Sequence, residues 1–163
     1  MAPQEYQVIF YTGREDGAGT NADIYLTILG TFGDETFKMP DNRGNDTENG
    51  YPEYYTITAH KNLGDVYQLH VQLEKTDNDS PDWYLSRAEI STNIAGKQYN
   101  WEFPAGCWIF PGDAVAYLTP FGVKDQPDGV IVITKGKPKD IYLAMLKAAE
   151  DAKKKEEENK NNT

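Results

Sequence analysis

The stretch Tyr67-Gln68-Leu69-His70-Val71-Gln72-Leu73 decides the fold class. Its apolar and polar side chains alternate with a period of two, which places the apolar set on one side of an extended strand. A helix would spread the same side chains around its circumference. Loops containing Gly, Asn, Asp or Pro separate this segment from similar ones. The other predicted strands are residues 6–11, 22–29, 36–39, 54–59, 83–91, 98–101, 107–110, 115–119 and 130–134. Such spacing is typical of an antiparallel β-sandwich.

The composition changes near the end of the chain, at Lys137-Pro138-Lys139-Asp140. Apolar residues then recur at helical spacing, which predicts an amphipathic helix over residues 141–156 with Asp140 as its N-cap. Residues 153–163 are almost wholly polar or charged, and we expect a solvated, disordered tail there. A helix that binds a partner is the alternative interpretation of the same segment.

The charge of the chain restricts its partners. The 163 residues include 26 acidic and 16 basic ones, for a formal net charge of -10. A phosphate backbone would be repelled, so nucleic acid is not an expected partner. Anionic membranes would be repelled as well, unless bound cations reverse the sign of the docking surface. We expect a cytoplasmic monomer that associates peripherally with membranes in that case.

Catalytic residues are not evident in the sequence. Nucleophilic catalysis needs a base beside the nucleophile, and the two histidines, His60 and His70, lie in or beside predicted strands as exposed side chains of a sheet face. The sequence has neither a nucleophile elbow nor a Cys/His metal cluster. We therefore predict a non-enzymatic protein with no catalytic residue.

Oxygen-donor residues are concentrated in three loops. The first is Gly17-Ala18-Gly19-Thr20-Asn21, the second is Asp41-Asn42-Arg43-Gly44-Asn45-Asp46, and the third covers residues 76–83. Clustered carboxylates, amides and carbonyls suit Ca²⁺, a hard cation that takes oxygen ligands. The spacing does not fit an EF-hand, so loops between strands would have to hold the ion. Each loop alone can also be interpreted as a polar turn in which Asp and Asn bond their own backbone.

Several of these motifs together resemble one known family, the PLAT or lipoxygenase-homology domain of lipoxygenases, polycystins, lipases and bacterial alpha-toxin phospholipase C. The matching motifs are Tyr6-Gln7-Val8, Thr12-Gly13, residues 17–25, the turn at 41–46, Leu63-Gly64, Pro81-Asp82-Trp83-Tyr84-Leu85, Trp101-Glu102-Phe103-Pro104 and Trp108. The calcium loops are most similar to those of the C-terminal domain of the alpha-toxin. The similarity suggests a PLAT-like domain at residues 1–110, an extension with extra strands at 111–138, and a helix with a charged tail at 139–163.

The resemblance implies an eight-stranded antiparallel β-sandwich that binds calcium in its end loops. One ion would be held by the carbonyls of Gly17 and Gly19 together with Asp82 and the Trp83 carbonyl. The ligands of a second ion would be Thr20, Asp41, Asn42, Gly44, Asn45 and Asp46. Additional candidate ligands are Asp16, Asn21, Asp77 and Asp79.

The family further implies association with a lipid membrane or a protein partner that depends on calcium. Trp83 is the candidate for membrane contact, with packing beneath the loops as the alternative. Asp77 and Ser80 stand where the toxin has aromatic residues that insert into membranes, which argues against insertion by this loop. The alternative functions are a calcium-independent protein-interaction or scaffolding domain and a regulatory fragment of a lipase or lipoxygenase.

Overall fold

The computed structural model describes residues 2–13, 23–39, 52–74, 82–110, 114–120, 130–132 and 138–161. Within these ranges the chain forms nine strands and one helix. The strands are β1 Gln4–Thr12, β2 Asp23–Gly30, β3 Gly33–Lys38, β4 Pro52–Ala59, β5 Val66–Glu74, β6 Trp83–Ile94, β7 Lys97–Ile109, β8 Ala114–Leu118 and β9 Val130–Val132, and the helix is α1 Pro138–Asn161.

The strands form two antiparallel sheets that pack face to face. The first sheet has the order β4-β1-β6-β7 and the second the order β3-β2-β5-β8-β9. The alternation in β5 is confirmed from Leu69 onward, because Leu69, Val71 and Leu73 are fully buried between the sheets, whereas Tyr67 is 48% exposed. The predicted fold class, an antiparallel β-sandwich followed by a helix, is therefore confirmed. The ten strand segments predicted from the pattern correspond to nine strands in the described residues, one more than the eight that the resemblance implied, and the short β9 lies at the edge of the second sheet.

Strand β7 differs from the prediction because it is continuous. The sequence predicted two strands, at residues 98–101 and 107–110, separated by a segment containing Pro104 and Gly106. In the structure β7 pairs with β6 along its whole length, and the register shifts between Leu85 and Arg87, opposite Pro104. Proline cannot donate a hydrogen bond to the ladder and is accommodated at such irregularities. The shift therefore allows one strand to run through the proline.

The segment predicted as an extension contributes to the second sheet. Strand β8 pairs with β5, and β9 pairs with β8. Ala116 and Leu118 of β8 belong to the buried core. The extra strands that were predicted between residues 111 and 138 are thus present, and they complete the second layer of the sandwich.

Helix α1 begins at Pro138, three residues before the predicted start, and it ends at Asn161. Proline is favoured in the first helical turn because its missing N–H would be unsatisfied there in any case. Asp140 consequently lies in the first turn instead of at the N-cap. The helix was predicted to end at Glu156, and the prediction of a disordered tail is wrong for residues 157–161, because these residues are helical. Lys and Glu, which dominate this segment, are good helix formers.

The first turns of α1 lie on the outer face of the second sheet. The Lys139 backbone N–H donates to Gln72 Oε1 at 3.0 Å, and the rings of Tyr142 and Tyr25 meet edge to face at 5.6 Å. Tyr25 and Gln72 are each only 3% exposed although they point away from the core. The described part of the chain has no helix long and apolar enough to cross a membrane.

Candidate functional site

Three oxygen-rich segments leave the sandwich at the same end, which we call the loop pole. At this pole β1, β3, β5 and β7 end, and β2, β4, β6 and β8 begin. In the first sheet the paired strand ends are Tyr11 with Pro52 and Trp83 with Ile109. In the second sheet they are Asp23 with Glu74, Tyr25 with Lys38, and Gln72 with Val115. Only four residues separate Ile109 of β7 from Ala114 of β8, and this short connection places the two sets of ends at the same pole. Segments 14–22, 40–51 and 75–81 therefore each start and finish at the loop pole.

Most of the predicted calcium ligands lie in these segments and so fall outside the described residues. They are Asp16, Gly17, Gly19, Thr20, Asn21, Asp41, Asn42, Gly44, Asn45, Asp46, Asp77 and Asp79. Two predicted ligands, Asp82 and Trp83, are described. Asp82 is exposed and directly precedes β6, which places its carboxylate at the loop pole. The fold thus brings the ends of all three loops together, and the ligand assignments remain predictions.

The indole ring of Trp83 lies in the core. Trp83 is fully buried, its ring meets that of Phe10 edge to face at 5.2 Å, and its Nε1–H donates to Thr12 Oγ1 at 2.8 Å. A buried indole normally needs such a partner for its N–H. The prediction that the Trp83 side chain contacts a membrane is therefore wrong, and the alternative of packing beneath the loops is correct. The Trp83 backbone carbonyl stays a predicted ligand.

Backbone hydrogen bonds join the loop ends to one another. The Gly13 N–H, directly after β1, donates to the Tyr84 carbonyl of β6 at 2.9 Å. The Met39 N–H, directly after β3, donates to the Ile24 carbonyl of β2 at 2.9 Å. Each bond joins the residue just before one loop segment to a residue that follows another segment. The backbone thus links neighbouring loop segments where they leave the sandwich.

Two carboxylates at the loop pole are already paired with lysines, and the sequence analysis did not identify them. Lys139 Nζ lies 2.8 Å from Glu74 Oε1, and Tyr25 Oη donates to Glu74 Oε2 at 2.7 Å. The hydrogen bonds from Lys139 and then Tyr25 hold the pKa of Glu74 below its usual range, although burial acts in the opposite direction. Lys38 Nζ lies 3.5 Å from Asp23 Oδ2. The negative charge of each of these two carboxylates is therefore balanced by a lysine of the same chain.

The titratable groups that the structure describes do not form a metal cluster. No group of three or more His, Cys, Asp or Glu side chains in the described ranges could hold an ion. His60 Nδ1 lies 3.0 Å from Glu35 Oε1 and the His60 side chain is largely exposed. His70 is more buried than predicted, because its ring stacks on Tyr117 at 4.1 Å, and this burial lowers the pKa of His70. The predicted calcium sites therefore depend on ligands that lie outside the described residues.

Known proteins resemble this chain in sequence and in fold. The family model for the PLAT/LH2 domain matches residues 6–116. The mouse lipoxygenase homology domain-containing protein 1 is 30% identical over 105 residues, which cover 64% of this chain and 5% of that protein. The chain therefore spans a small fraction of the length of this relative.

Solved structures share the sandwich. A crystal structure of coral 8R-lipoxygenase, described as activated by calcium through a C2-like domain, has a TM-score of 0.61 and 27% identity, covering 71% of this chain and 17% of that chain. The alpha toxin of Clostridium absonum has a TM-score of 0.53 and 24% identity, covering 72% of this chain and 31% of that chain. At this identity the toxin supports the fold alone.

Proposed function

This chain belongs to the PLAT/LH2 domain family, and we propose that it is a non-enzymatic calcium-binding module that associates with lipid membranes or a protein partner when calcium is bound. The convergence of three oxygen-rich segments at one pole is the observation that carries the proposal. Ca²⁺ takes six to eight oxygen ligands, more than one short loop supplies. Loops that leave from a common pole meet this requirement together.

Charge supports the same proposal. The chain has a net charge of -10, while Asp23 and Glu74 at the loop pole have their own lysine partners. The three loop segments contribute further carboxylates beyond these two paired ones. Divalent cations there would reduce the repulsion and would let an anionic lipid headgroup or acidic partner approach. The calcium activation described for coral 8R-lipoxygenase, which has a similar domain, is consistent with this role.

The proposed first ion is bound by the carbonyls of Gly17, Gly19 and Trp83 and by Asp82. A second ion is bound by residues of the other two loop segments, namely Thr20, Asp41, Asn42, Gly44, Asn45 and Asp46. Because the Trp83 indole is buried, membrane association would rest on the bound ions and not on insertion of this ring. In this proposal the protein is cytoplasmic and binds membranes peripherally.

Calorimetric titration and thermal unfolding test calcium binding. We expect dissociation constants of about 10 µM to 1 mM and a stability gain of about 2.7 kcal/mol at a calcium concentration about 100-fold above the dissociation constant. The double variant Asp41→Asn/Asp46→Asn should lose most of this gain. Asp34→Asn, an exposed acid at the opposite pole, is the matched control and should keep it. Absence of both heat and a thermal shift in the unsubstituted chain would refute the proposal.

Vesicle sedimentation tests the lipid partner. Vesicles of phosphatidylserine and phosphatidylcholine should pellet the protein with calcium and should release it when EDTA is added. Recovery in the supernatant under both conditions, together with calcium binding by calorimetry, would instead support a protein partner.

A calcium-independent protein-interaction domain is the second candidate, and the apolar side chains of α1 favour it. Ile141, Leu143, Met145 and Leu146 are 37% to 48% exposed. Exposed apolar side chains of this kind mark interaction surfaces when they are contiguous. Retention of a partner in EDTA, and its loss with Leu143→Ser/Leu146→Ser, would favour this candidate.

The third candidate, a regulatory part of a lipase or lipoxygenase, predicts that a longer protein contains the catalytic residues.

A further inference from the structure

A cleft opens between the two sheets at the pole opposite the loops. Its volume is about 260 Å³, just below the range of about 300–1,000 Å³ that is typical of ligand pockets. The turn between β2 and β3, the connection between β4 and β5, and the hairpin of β6 and β7 contribute its walls. The side chains that line it include Phe32, Asn62, Asp65, Ile94, Tyr99 and Trp101. We call it the far cleft.

Aromatic side chains form much of the far cleft. Tyr99 and Trp101 lie two residues apart on β7, and their rings are nearly parallel, with an angle of 13° and centroids 6.1 Å apart. Phe32, at the turn between β2 and β3, is 64% exposed. A solvated Phe at this position gives up the free energy of burial that the core would provide. Parallel rings beside an exposed third ring offer flat surfaces for an apolar ligand face.

Polar groups at the far cleft are oriented by hydrogen bonds to the backbone. Asn62 Oδ1 accepts from the Gly64 N–H at 2.9 Å, which fixes the amide so that its NH₂ group is the donor end. Thr31 Oγ1 accepts from the Asp65 N–H at 3.0 Å, which leaves the hydroxyl hydrogen to donate. The Asp65 carboxylate supplies acceptors. The cleft thus combines donors, acceptors and aromatic faces.

The wall that carries Phe32 and Asn62 is preformed. The Thr31 N–H donates to the Asp65 carbonyl at 3.0 Å, and the Phe32 N–H donates to the Leu63 carbonyl at 2.9 Å. The Leu63 N–H in turn donates to the buried Tyr6 Oη at 2.9 Å. These bonds connect the two loops to the core. A preformed wall lowers the entropic cost of binding a ligand.

The charges around the far cleft favour a neutral ligand. The Lys97 ammonium group lies 5.2 Å from the centroid of the Tyr99 ring and would repel a cation that approaches this ring. The Asp65 carboxylate would repel an anion. A ligand with many hydroxyl groups and one apolar ring face satisfies the oriented donors, the acceptors and the aromatic rings together.

We propose that the far cleft binds a neutral saccharide, with one sugar ring stacked on Tyr99 and Trp101 and its hydroxyls bonded to Asn62 and Asp65. Saturation-transfer NMR with the methyl glycosides of glucose, galactose and mannose tests this on the full chain. EDTA is present throughout, so that the result does not depend on calcium binding at the loop pole. We expect saturable transfer to at least one glycoside, strongest at the ring face.

Two variants and two controls decide the outcome. Tyr99→Ala and Phe32→Ala should each weaken affinity at least tenfold, while Tyr67→Ala and Tyr54→Ala, exposed aromatics elsewhere, should leave it unchanged. The melting temperature confirms that each variant is folded, and Phe32 is exposed enough for its loss to be tolerated. Lack of transfer to all three glycosides overturns the proposal, as does undiminished affinity in Tyr99→Ala. Preferential binding of choline chloride would assign a cation to the far cleft and would also overturn it.

Discussion

The hydrogen bond from Trp83 Nε1–H to Thr12 Oγ1 is a residue-level determinant of stability at the loop pole. Both side chains are buried, with Trp83 0% and Thr12 4% exposed. Thr12→Val keeps the shape of the side chain but leaves the indole N–H without its partner. We expect unfolding free energy to fall by about 1–3 kcal/mol, measured by denaturant unfolding.

A double-mutant cycle provides the control for this prediction. In a Trp83→Phe background the N–H is absent, so Thr12→Val should cost less there than in the original chain. Equal costs in the two backgrounds would mean that the hydrogen bond contributes nothing to stability.

Two glycines with positive φ allow a matched comparison. Gly64 has φ of +79° and Gly96 has φ of +83°. A Cβ at Gly96 would meet open space, whereas one at Gly64 would collide with Thr31 Oγ1 and lie 2.9 Å from Phe32 Cγ. Gly96→Ala should cost about 1–2 kcal/mol from the left-handed backbone alone, and Gly64→Ala about 2–4 kcal/mol because overpacking adds to it. Chemical denaturation measures both, and similar costs would contradict the collision.

At the scale of elements, the ion pair between Lys139 and Glu74 joins α1 to β5. Because the pKa of Glu74 is lower in the folded protein than its usual value near 4.5, its contribution to stability is present above that value and disappears as the pH falls through the folded pKa. Both side chains are about one third exposed. Lys139→Met should therefore cost no more than about 1 kcal/mol at about pH 7, and less in acid.

The measurement for this ion pair is denaturant unfolding at neutral and acid pH, with NMR titration of the Glu74 carboxyl. Its pKa should rise in Lys139→Met and should remain partly lowered by Tyr25, which still donates to it. Lys154→Met breaks the more exposed pair with Glu150 at 3.6 Å and serves as the control, with no measurable change expected. A cost that grows as the pH falls would contradict the assigned sign.

The second half of α1 should open separately from the sandwich. Residues 147–158 are exposed, whereas the packing described for α1 involves its first turns. Helical segments of this length are marginal in water without tertiary packing. In hydrogen exchange, the amides after Glu150 should exchange rapidly while those of Leu69 and Val71 in β5 remain protected. Equal protection in α1 and β5 would indicate a partner for the exposed half.

The strands of the sandwich could be predicted from the sequence, because apolar side chains such as Leu69 and Val71 recur with a period of two. This period predicts that they lie on the same, buried side of the sheet. The continuity of β7 could not be predicted, since local signals at Pro104 indicate a break and only the register shift on β6 shows how the proline is accommodated. The end of α1 was misjudged because high charge suggests disorder, whereas Lys and Glu also favour helix.

At the scale of the whole molecule, the net charge of -10 bears on stability and on the proposed calcium binding. A charge of -10 repels itself in the compact state and attracts divalent cations. Adding sodium chloride should raise the melting temperature of the calcium-free protein and should weaken its calcium affinity, because salt screens both interactions. Tetramethylammonium chloride should reproduce both effects. A melting temperature that falls with salt would contradict the prediction.

The candidate calcium site could be predicted from the sequence only as a set of residue types. The oxygen donors at Asp41 and Asp46 are visible locally, but the common pole from which the three loop segments leave depends on strand order. The lysine partners of Asp23 and Glu74 are also tertiary features, since Lys139 is 65 positions away from Glu74 along the chain. Burial of the Trp83 ring depends on a buried acceptor for its N–H, and Thr12 of β1 supplies this acceptor. The sequence alone does not show that the two residues meet.

The buried contact between Trp83 and Thr12 has a consequence for communication between loops. Thr12 closely precedes the first loop segment and Trp83 closely follows the third, so one shared bond fixes an end of each. In the proposed function, an ion bound by one of these loop segments would act on the next through this shared bond. Two ions bound across this junction would then be taken up cooperatively, and the chain would respond to calcium over a narrower concentration range than independent sites allow.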